Sequence, residues 1–115
     1  MQIKRGDVFL ADLTPGVGDE QGGIRYVLVV QSNVVNETGV EEKGTILVVP
    51  MTAKTDGYDK ELTVEVPEMS ELFKYKALIY QLRAISSMRF KQYVGHVSSE
   101  VMVEIEEKLK IVLGF

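Results

Sequence analysis

Apolar residues recur along this chain with two different periods, and the change of period locates its architecture. Val8-Phe9-Leu10-Ala11-Asp12 reads as a first strand, and residues 26–31, rich in β-branched and aromatic side chains, as a second. Residues 45–51 form a third, which ends at an edge or bulge because Pro50 cannot donate to a ladder. Leu62-Thr63-Val64-Glu65-Val66 alternates as a strand with one solvated face does. Residues 77–85 read as a fifth strand, with Gln81 and Arg83 on one face and Leu82 on the other. Residues 68–75 make a turn or short helix, Ser86-Ser87 caps a helical turn running to Lys91, and residues 93–97 form a last short strand.

From Ser98 onward the period is helical. Ser98 is a good N-cap, Glu100 suits the positive end of the helix dipole, and Val97 and Met102 occupy hydrophobic-staple positions. Val101, Met102, Ile105, Leu109 and Val112 share one face, while Glu104 with Lys108 and Glu106 with Lys110 are spaced to pair on the other. Gly114 ends the helix. Short strands closed by one helix describe a mainly β protein, a small barrel of antiparallel strands with a C-terminal helix packed on it.

Three stretches carry no regular period. Residues 13–23 hold Pro15, Gly16, Gly18, Gly22 and Gly23, a density of breakers that leaves a loop, and long loops inside compact domains are usually functional. Residues 34–44 are polar and acidic, with turns at Asn36, Gly39 and Gly44, and read as an exposed excursion without chemistry. Residues 53–61 read as a mobile loop.

Length adds that residues 1–115 make a single domain. The absence of cysteine excludes disulfides and thiolate zinc sites. No apolar run approaches the roughly 20 residues of a membrane span, and the N-terminus lacks a signal-peptide core, so no membrane partner and a cytoplasmic location are expected. A net charge of −4 argues against a nucleic-acid partner. Its distribution argues the other way. Lys74, Lys76, Arg83, Arg89 and Lys91 fall in residues 72–96 with no acid among them, interleaved with Phe73, Tyr75, Tyr80, Phe90 and Tyr93. Basic groups among aromatics suit a nucleic-acid surface, although a charged strand face over core aromatics has the same composition.

The candidate chemistry lies at Gly22-Gly23-Ile24-Arg25. An arginine at the mouth of a rigid strand, beside a glycine-rich loop, can grip a phosphate through its planar fork. Taken alone, the same residues also describe a hairpin loop with a surface arginine. Gln31, Ser32 and Asn33 close the strand with polar groups. His96, the one histidine, reads as structural, and Asp7, Asp12, Asp19 and Glu20 form no metal-ligand pattern, so neither metal nor cofactor is called for.

Arg5-Gly6-Asp7-Val8, Glu20-Gln21-Gly22-Gly23-Ile24-Arg25, Val30-Gln31-Ser32-Asn33, Val49-Pro50-Met51-Thr52, Gln81-Leu82-Arg83-Ala84-Ile85 and Gly95-His96-Val97-Ser98 stand in the order found in the MazF/PemK toxins. The resemblance covers essentially the whole chain. It implies an SH3-like barrel, a homodimer, and a metal-independent endoribonuclease that cuts single-stranded RNA, including mRNA, at short sequences. It also implies a cognate antitoxin that blocks the site, which the local positive charge would let act through an acidic, initially disordered segment. The resemblance makes Arg25 and Thr52 the catalytic pair and Gln21 and Gln81 RNA contacts. Glu20, Gly22, Ser32 and Arg83 complete the candidate RNA-binding set. Such an enzyme can use the RNA 2′-hydroxyl as nucleophile, leaving a 2′,3′-cyclic phosphate and a 5′-hydroxyl. Tyr26, Tyr80 and Ser32 replace the proline, acidic residue and asparagine common in relatives, so no relative's cleavage sequence transfers. The rival readings are a gyrase-binding, CcdB-like toxin on the same fold and a plain protein-interaction domain. Gly22-Gly23-x-Arg25 together with Thr52 favours the nuclease.

Overall fold

The computed structural model describes residues 2–37, 44–54 and 56–115. Strands β1 (Asp7–Asp12) and β2 (Ile24–Val29) form a hairpin in which Val8 faces Leu28 and Ala11 faces Arg25. Strand β3 (Thr45–Thr52) lies on the other side of β2, with Val27 opposite Pro50 and Val29 opposite Val48. The far edge of β3 is shared by two short strands. One is β5 (Lys76–Leu78), against Met51 and Thr52, and the other is β6 (Arg83–Ser86), against residues 45–48. Strand β4 (Thr63–Glu65) extends the sheet beyond β5, and β7 (Phe90–His96) pairs with β1. Every pairing is antiparallel, and the order β4-β5-β3-β2-β1-β7 curls into an open, barrel-like sheet.

The fifth strand expected over residues 77–85 is therefore two strands, separated by a 3-10 turn at Ile79–Gln81. Pro50 supplies the reason. Both the N–H and the C=O of Leu47 bond toward the β2 side, so alternation aims the nitrogen of Pro50 at the opposite edge. Continued from Val48 opposite Arg83, the β6 register would set Gln81 against that donorless nitrogen. The pairing breaks there and resumes with Met51 opposite Ala77, a shift that the turn's three residues absorb. Gln81 thus sits on a turn rather than alternating with Arg83 along a strand.

Side chains pack on both faces of the sheet. Val8, Leu28, Val49 and Met51 meet Val101 and Ile105 of the C-terminal helix on one face. Phe9, Ala11, Val27, Val29 and Val48 pack on the other, where Phe90 stacks on Phe9 at 4.4 Å between ring centres and Tyr93 meets it edge-on. That stacking draws Phe90 into β7, which starts three residues earlier than expected, and limits the preceding helical turn to Ser87–Arg89, capped by Ser86.

Asn36 is another departure. A four-residue helix, α1 (Asn33–Asn36), follows β2, capped by the Ser32 hydroxyl, and Asn36 is buried rather than exposed. Its side chain accepts from Gln31 Nε2 at 2.9 Å and donates to the Gln31 carbonyl, while Gln31 Oε1 accepts from the Leu47 amide. The polar groups after β2 are thus spent on joining it to β3. Gly39 lies outside the described residues, and Asp59 caps a 3-10 turn at Lys60–Leu62 inside the expected 53–61 loop.

The helix α2 (Ser99–Leu113) has the expected caps: the Ser98 hydroxyl accepts from the Val101 amide, and Gly114 closes the C-terminus in the left-handed conformation. The expected pairs within the helix are replaced by tertiary ones. Glu106 meets Arg5 at 3.7 Å and Lys108 meets Glu61 at 3.6 Å. Val101 stands where a capping box would place a glutamate, and Glu68 fills that role from another element, its Oε2 accepting from the Ser98 amide at 2.7 Å. Partial burial raises the Glu68 pKa, but the hydrogen bonds from Ser98 outweigh it and hold the carboxyl below its usual 4.5. A carboxylate depressed in the folded state stabilises above its unfolded pKa and loses that contribution as pH falls through the folded value. Glu68→Ala should therefore lower stability by about 0.5–1 kcal/mol at neutral pH. The deficit should shrink in denaturant titrations as pH falls below 4.5.

Candidate active site

Arg25 is the second residue of β2, where the sheet gives way to loop 13–23. The β2–β3 ladder ends at Val27 and Pro50, and its register carried two residues further sets Arg25 across from Thr52. Both lie on the same side of the sheet, since side chains alternate along strands. Arg25 is exposed, and its Nε–H donates to the Gly22 carbonyl at 2.9 Å. That bond occupies one of five guanidinium donors and leaves the other four, on the terminal nitrogens of an exposed side chain, without a hydrogen bond among the described residues. Thr52 is only 4 % exposed; its Oγ1 accepts from the Lys54 amide at 3.2 Å, and its hydroxyl proton remains available to donate.

The loop that fixes Arg25 is itself fixed. The Leu13 amide donates to the Gly23 carbonyl at 2.8 Å, closing the loop at its neck. Gly23 has φ +74°, a conformation that disfavours a side chain, and a Cβ on Gly22 would stand 2.9 Å from the backbone of Gly16. Two later side chains brace it. Gln81 accepts from the Gln21 amide at 3.0 Å and donates to the Asp19 carbonyl at 3.2 Å. Arg89 Nη1 donates to the carbonyls of Asp12 and Thr14 at 3.0 and 2.8 Å. Hydrogen bonds from Thr14, assisted by Lys91 and Arg89, hold the Asp12 carboxyl below its usual 3.8.

Beside the loop lies a cavity of about 370 Å³ lined by Asp19, Glu20, Tyr80, Gln81, Leu82 and Arg83. Arg83 Nη1 and Gln21 Oε1 are buried without a hydrogen-bond partner among the described residues. The fold therefore brings Glu20, Gln21, Gly22 and Arg25 together on one loop edge, with Gln81 and Arg83 against the loop. It does not bring Ser32 there. Arg25 and Val29 are already four residues apart, about 13 Å of strand, and Ser32 lies beyond Val29. A larger groove, about 690 Å³, lies between β4 and α2, but its lysines and glutamates are intermixed.

The wholly basic face expected over residues 72–96 is not what folds. Lys76 is buried, Arg83 is partly buried and Arg89 is engaged with carbonyls, leaving Lys74 and Lys91 exposed. Two of the interleaved aromatics pack: Tyr75 meets Tyr26 at 5.3 Å, and Phe90 stacks on Phe9 at 4.4 Å. Phe73, Tyr80 and Tyr93 stay exposed, the last with only its edge-on contact to Phe9. His96 bonds Asp7 at 2.8 Å near the end of β1 remote from Ala11 and Arg25, consistent with a structural role. Sequence reasoning missed Arg89 as a brace, and nothing local marks an arginine whose acceptors are 75 and 77 residues away. No three His, Asp or Glu side chains among the described residues converge as a metal site would need. No helix among them is long and apolar enough to cross a membrane.

The fold is a small barrel-like sheet that presents an arginine from a braced loop, and comparison with known proteins assigns its family. Residues 4–113 match the family described as PemK-like, MazF-like toxin of type II toxin-antitoxin system. The chain belongs to that family. It is 37% identical over 120 residues to Endoribonuclease MazF of Staphylococcus epidermidis, covering 97% of this chain and 92% of that protein. It is 36% identical over 116 residues to Endoribonuclease EndoA of Bacillus subtilis (strain 168), covering 99% and 97%. Among solved structures, MazF from Deinococcus radiodurans superposes with a TM-score of 0.81 at 24% identity, covering 100% of this chain and 99% of that one. An endoribonuclease solved with its cognate antitoxin, from a mycobacterial species, gives 0.76 at 21% identity, covering 98% and 96%. These superpositions bear out the SH3-like, mainly β reading of the fold.

The close approach of Gly22 and Gly16 generates a direct test. Gly22→Ala cannot keep the loop path, because its Cβ would meet backbone rather than a flexible side chain. The Gly22 carbonyl should shift and Arg25 with it, so RNA cleavage should fall by about 10-fold or more while the melting temperature changes little. Gly18→Ala, with open space around its Cβ, serves as the control for backbone strain alone.

Proposed function

We propose that this chain is the toxin of a toxin–antitoxin pair and a metal-independent endoribonuclease that cuts single-stranded RNA, with Arg25 and Thr52 as its catalytic residues. The observation that carries this reading is the Arg25 guanidinium. It is exposed and tied through Nε to the Gly22 carbonyl, with its other donors uncommitted among the described residues, on the strand paired with the one that ends at Thr52. Single-stranded RNA brings its own nucleophile: the 2′-oxygen gives up its proton to water and bonds to phosphorus as the bond from phosphorus to the 5′-oxygen breaks, and that oxygen takes up a proton to leave as the 5′-hydroxyl. Arg25 neutralises the charge that builds on the phosphoryl oxygens, and the Thr52 hydroxyl donates to one of them. Glu20, Gln21, Gly22 and Arg83 border the path of the strand, and unstacked bases can meet the polar groups of the 370 Å³ cavity. Ser32 is left out of this set because it lies beyond the far end of β2.

Defined single-stranded RNAs incubated with the protein in EDTA should be cut to 2′,3′-cyclic phosphate and 5′-hydroxyl ends. Arg25→Ala should slow cleavage at least about 100-fold, the scale of losing one preorganised oxyanion donor. Arg25→Lys should recover little, since a point charge cannot reproduce the fork or the bond to Gly22. Intact RNA across many sequences, with gyrase inhibited instead, would replace this reading by the gyrase-binding one.

Two assembly features belong to the same proposal. The active unit is a homodimer whose isologous contact builds a groove across both subunits. Its cognate antitoxin lays an acidic, initially disordered segment into the groove, drawn by Arg25 and the exposed Lys74 and Lys91. A non-cleavable RNA bound to Arg25→Ala protein should be displaced by the antitoxin, and more weakly as salt rises. A stable ternary complex with unchanged RNA affinity would place inhibition elsewhere, and a monomer at concentrations where RNA is cut would remove the shared groove.

A further inference from the structure

Among the described residues, Gln81 is the one side chain that holds the middle of the Arg25 loop by both ends of its amide. Its Oε1 accepts from the Gln21 amide at 3.0 Å and its Nε2 donates to the Asp19 carbonyl at 3.2 Å. The loop continues directly to the Gly22 carbonyl, which receives Arg25 Nε–H at 2.9 Å. From Gln81 to the guanidinium there are thus two hydrogen bonds and one intervening peptide. The amide is oriented from behind as well, since Nε2 also lies 3.3 Å from the Tyr80 hydroxyl, and Gln81 stands on the short turn forced by the donorless Pro50. A glutamine with its acceptor and its donor both committed to backbone has little left for reading a base edge.

We propose that Gln81 is a positioning residue: it holds the loop so that the Gly22 carbonyl presents the Arg25 guanidinium to the scissile phosphate. This rests on Arg25 being the phosphate-binding group. Only an amide can do both jobs at that position. A glutamate keeps an acceptor for the Gln21 amide but sets a second acceptor against the Asp19 carbonyl, and an apolar isostere offers neither bond. Arg89 braces the neck of the same loop through Asp12 and Thr14, so a loosened middle would still be tethered and the protein would stay folded.

The experiment is a double-mutant cycle between Gln81→Met and Arg25→Ala, read under single-turnover conditions and, for the single Gln81 variant, as separate kcat and KM. Acting through Arg25, Gln81→Met should lower kcat about 10- to 100-fold with KM within about 3-fold, the penalty of a misplaced group rather than a lost contact. In the Arg25→Ala background the same change should cost less than about 3-fold, because there is no guanidinium left to position. Hydrogen exchange at the Gln21 amide in the RNA-free protein should accelerate in Gln81→Met.

Equal losses in both backgrounds, or a KM rise with kcat preserved, would overturn the proposal and make Gln81 a direct RNA contact. Unchanged exchange at Gln21 would overturn the brace itself. If Arg25→Ala alone cuts RNA at the normal rate, the assignment of Arg25 falls first, and that result is distinct from additivity on a disabled Arg25 background.

Discussion

The bond from Arg25 Nε–H to the Gly22 carbonyl is the point at which the sheet and its functional loop meet. On an exposed side chain such a bond adds little to global stability. Its value lies in orientation. A free arginine carries about 2 kcal/mol of rotamer entropy, which a ligand must otherwise remove when it binds. In the proposed mechanism, fixing the guanidinium beforehand moves that cost out of the RNA-binding step. The fixed arginine in turn requires a fixed carbonyl, and hence the neck bond between Leu13 and Gly23, the contact of Gly22 with Gly16, and the two braces.

The Gln81 brace traces back to one imino acid. Pro50 leaves a position on the far edge of β3 without a donor, β5 and β6 pair on either side of it, and the three-residue turn between them carries Tyr80 and Gln81. An uninterrupted strand would have set Gln81 in a ladder opposite Pro50. The break delivers it to the loop instead, so a local defect in hydrogen bonding in the middle of the sheet becomes a support for the site at its edge.

What could be read from the sequence follows the range of the interactions. The C-terminal helix was legible to its caps, because Ser98, Gly114 and the apolar face act within a few residues of one another. The strands around Val8, Val27, Ile46 and Val64 were legible from apolar content. Pro50 was correctly read as an interruption, but on the wrong strand: the strand that carries it stays whole and its neighbour breaks. Asn36 and Arg89 were misread because polar composition does not tell a solvated side chain from one satisfied by backbone at a distance. Arg25 and the loop were found through the ordered resemblance and the glycines, whereas the clamp of Gln81, 60 residues from its Gln21 partner, needed the fold.

Family membership rests on the match across residues 4–113, and the proposed mechanism on how one arginine is held. The central claim is that the guanidinium is in place before RNA arrives. Nuclear magnetic resonance of the Arg25 Nε–H in the RNA-free protein tests it most directly. The account predicts a resolved resonance protected from solvent exchange, lost in Gly22→Ala and little altered when a non-cleavable RNA is added. An Nε–H that exchanges as fast as a free arginine's and gains protection only with RNA would contradict it.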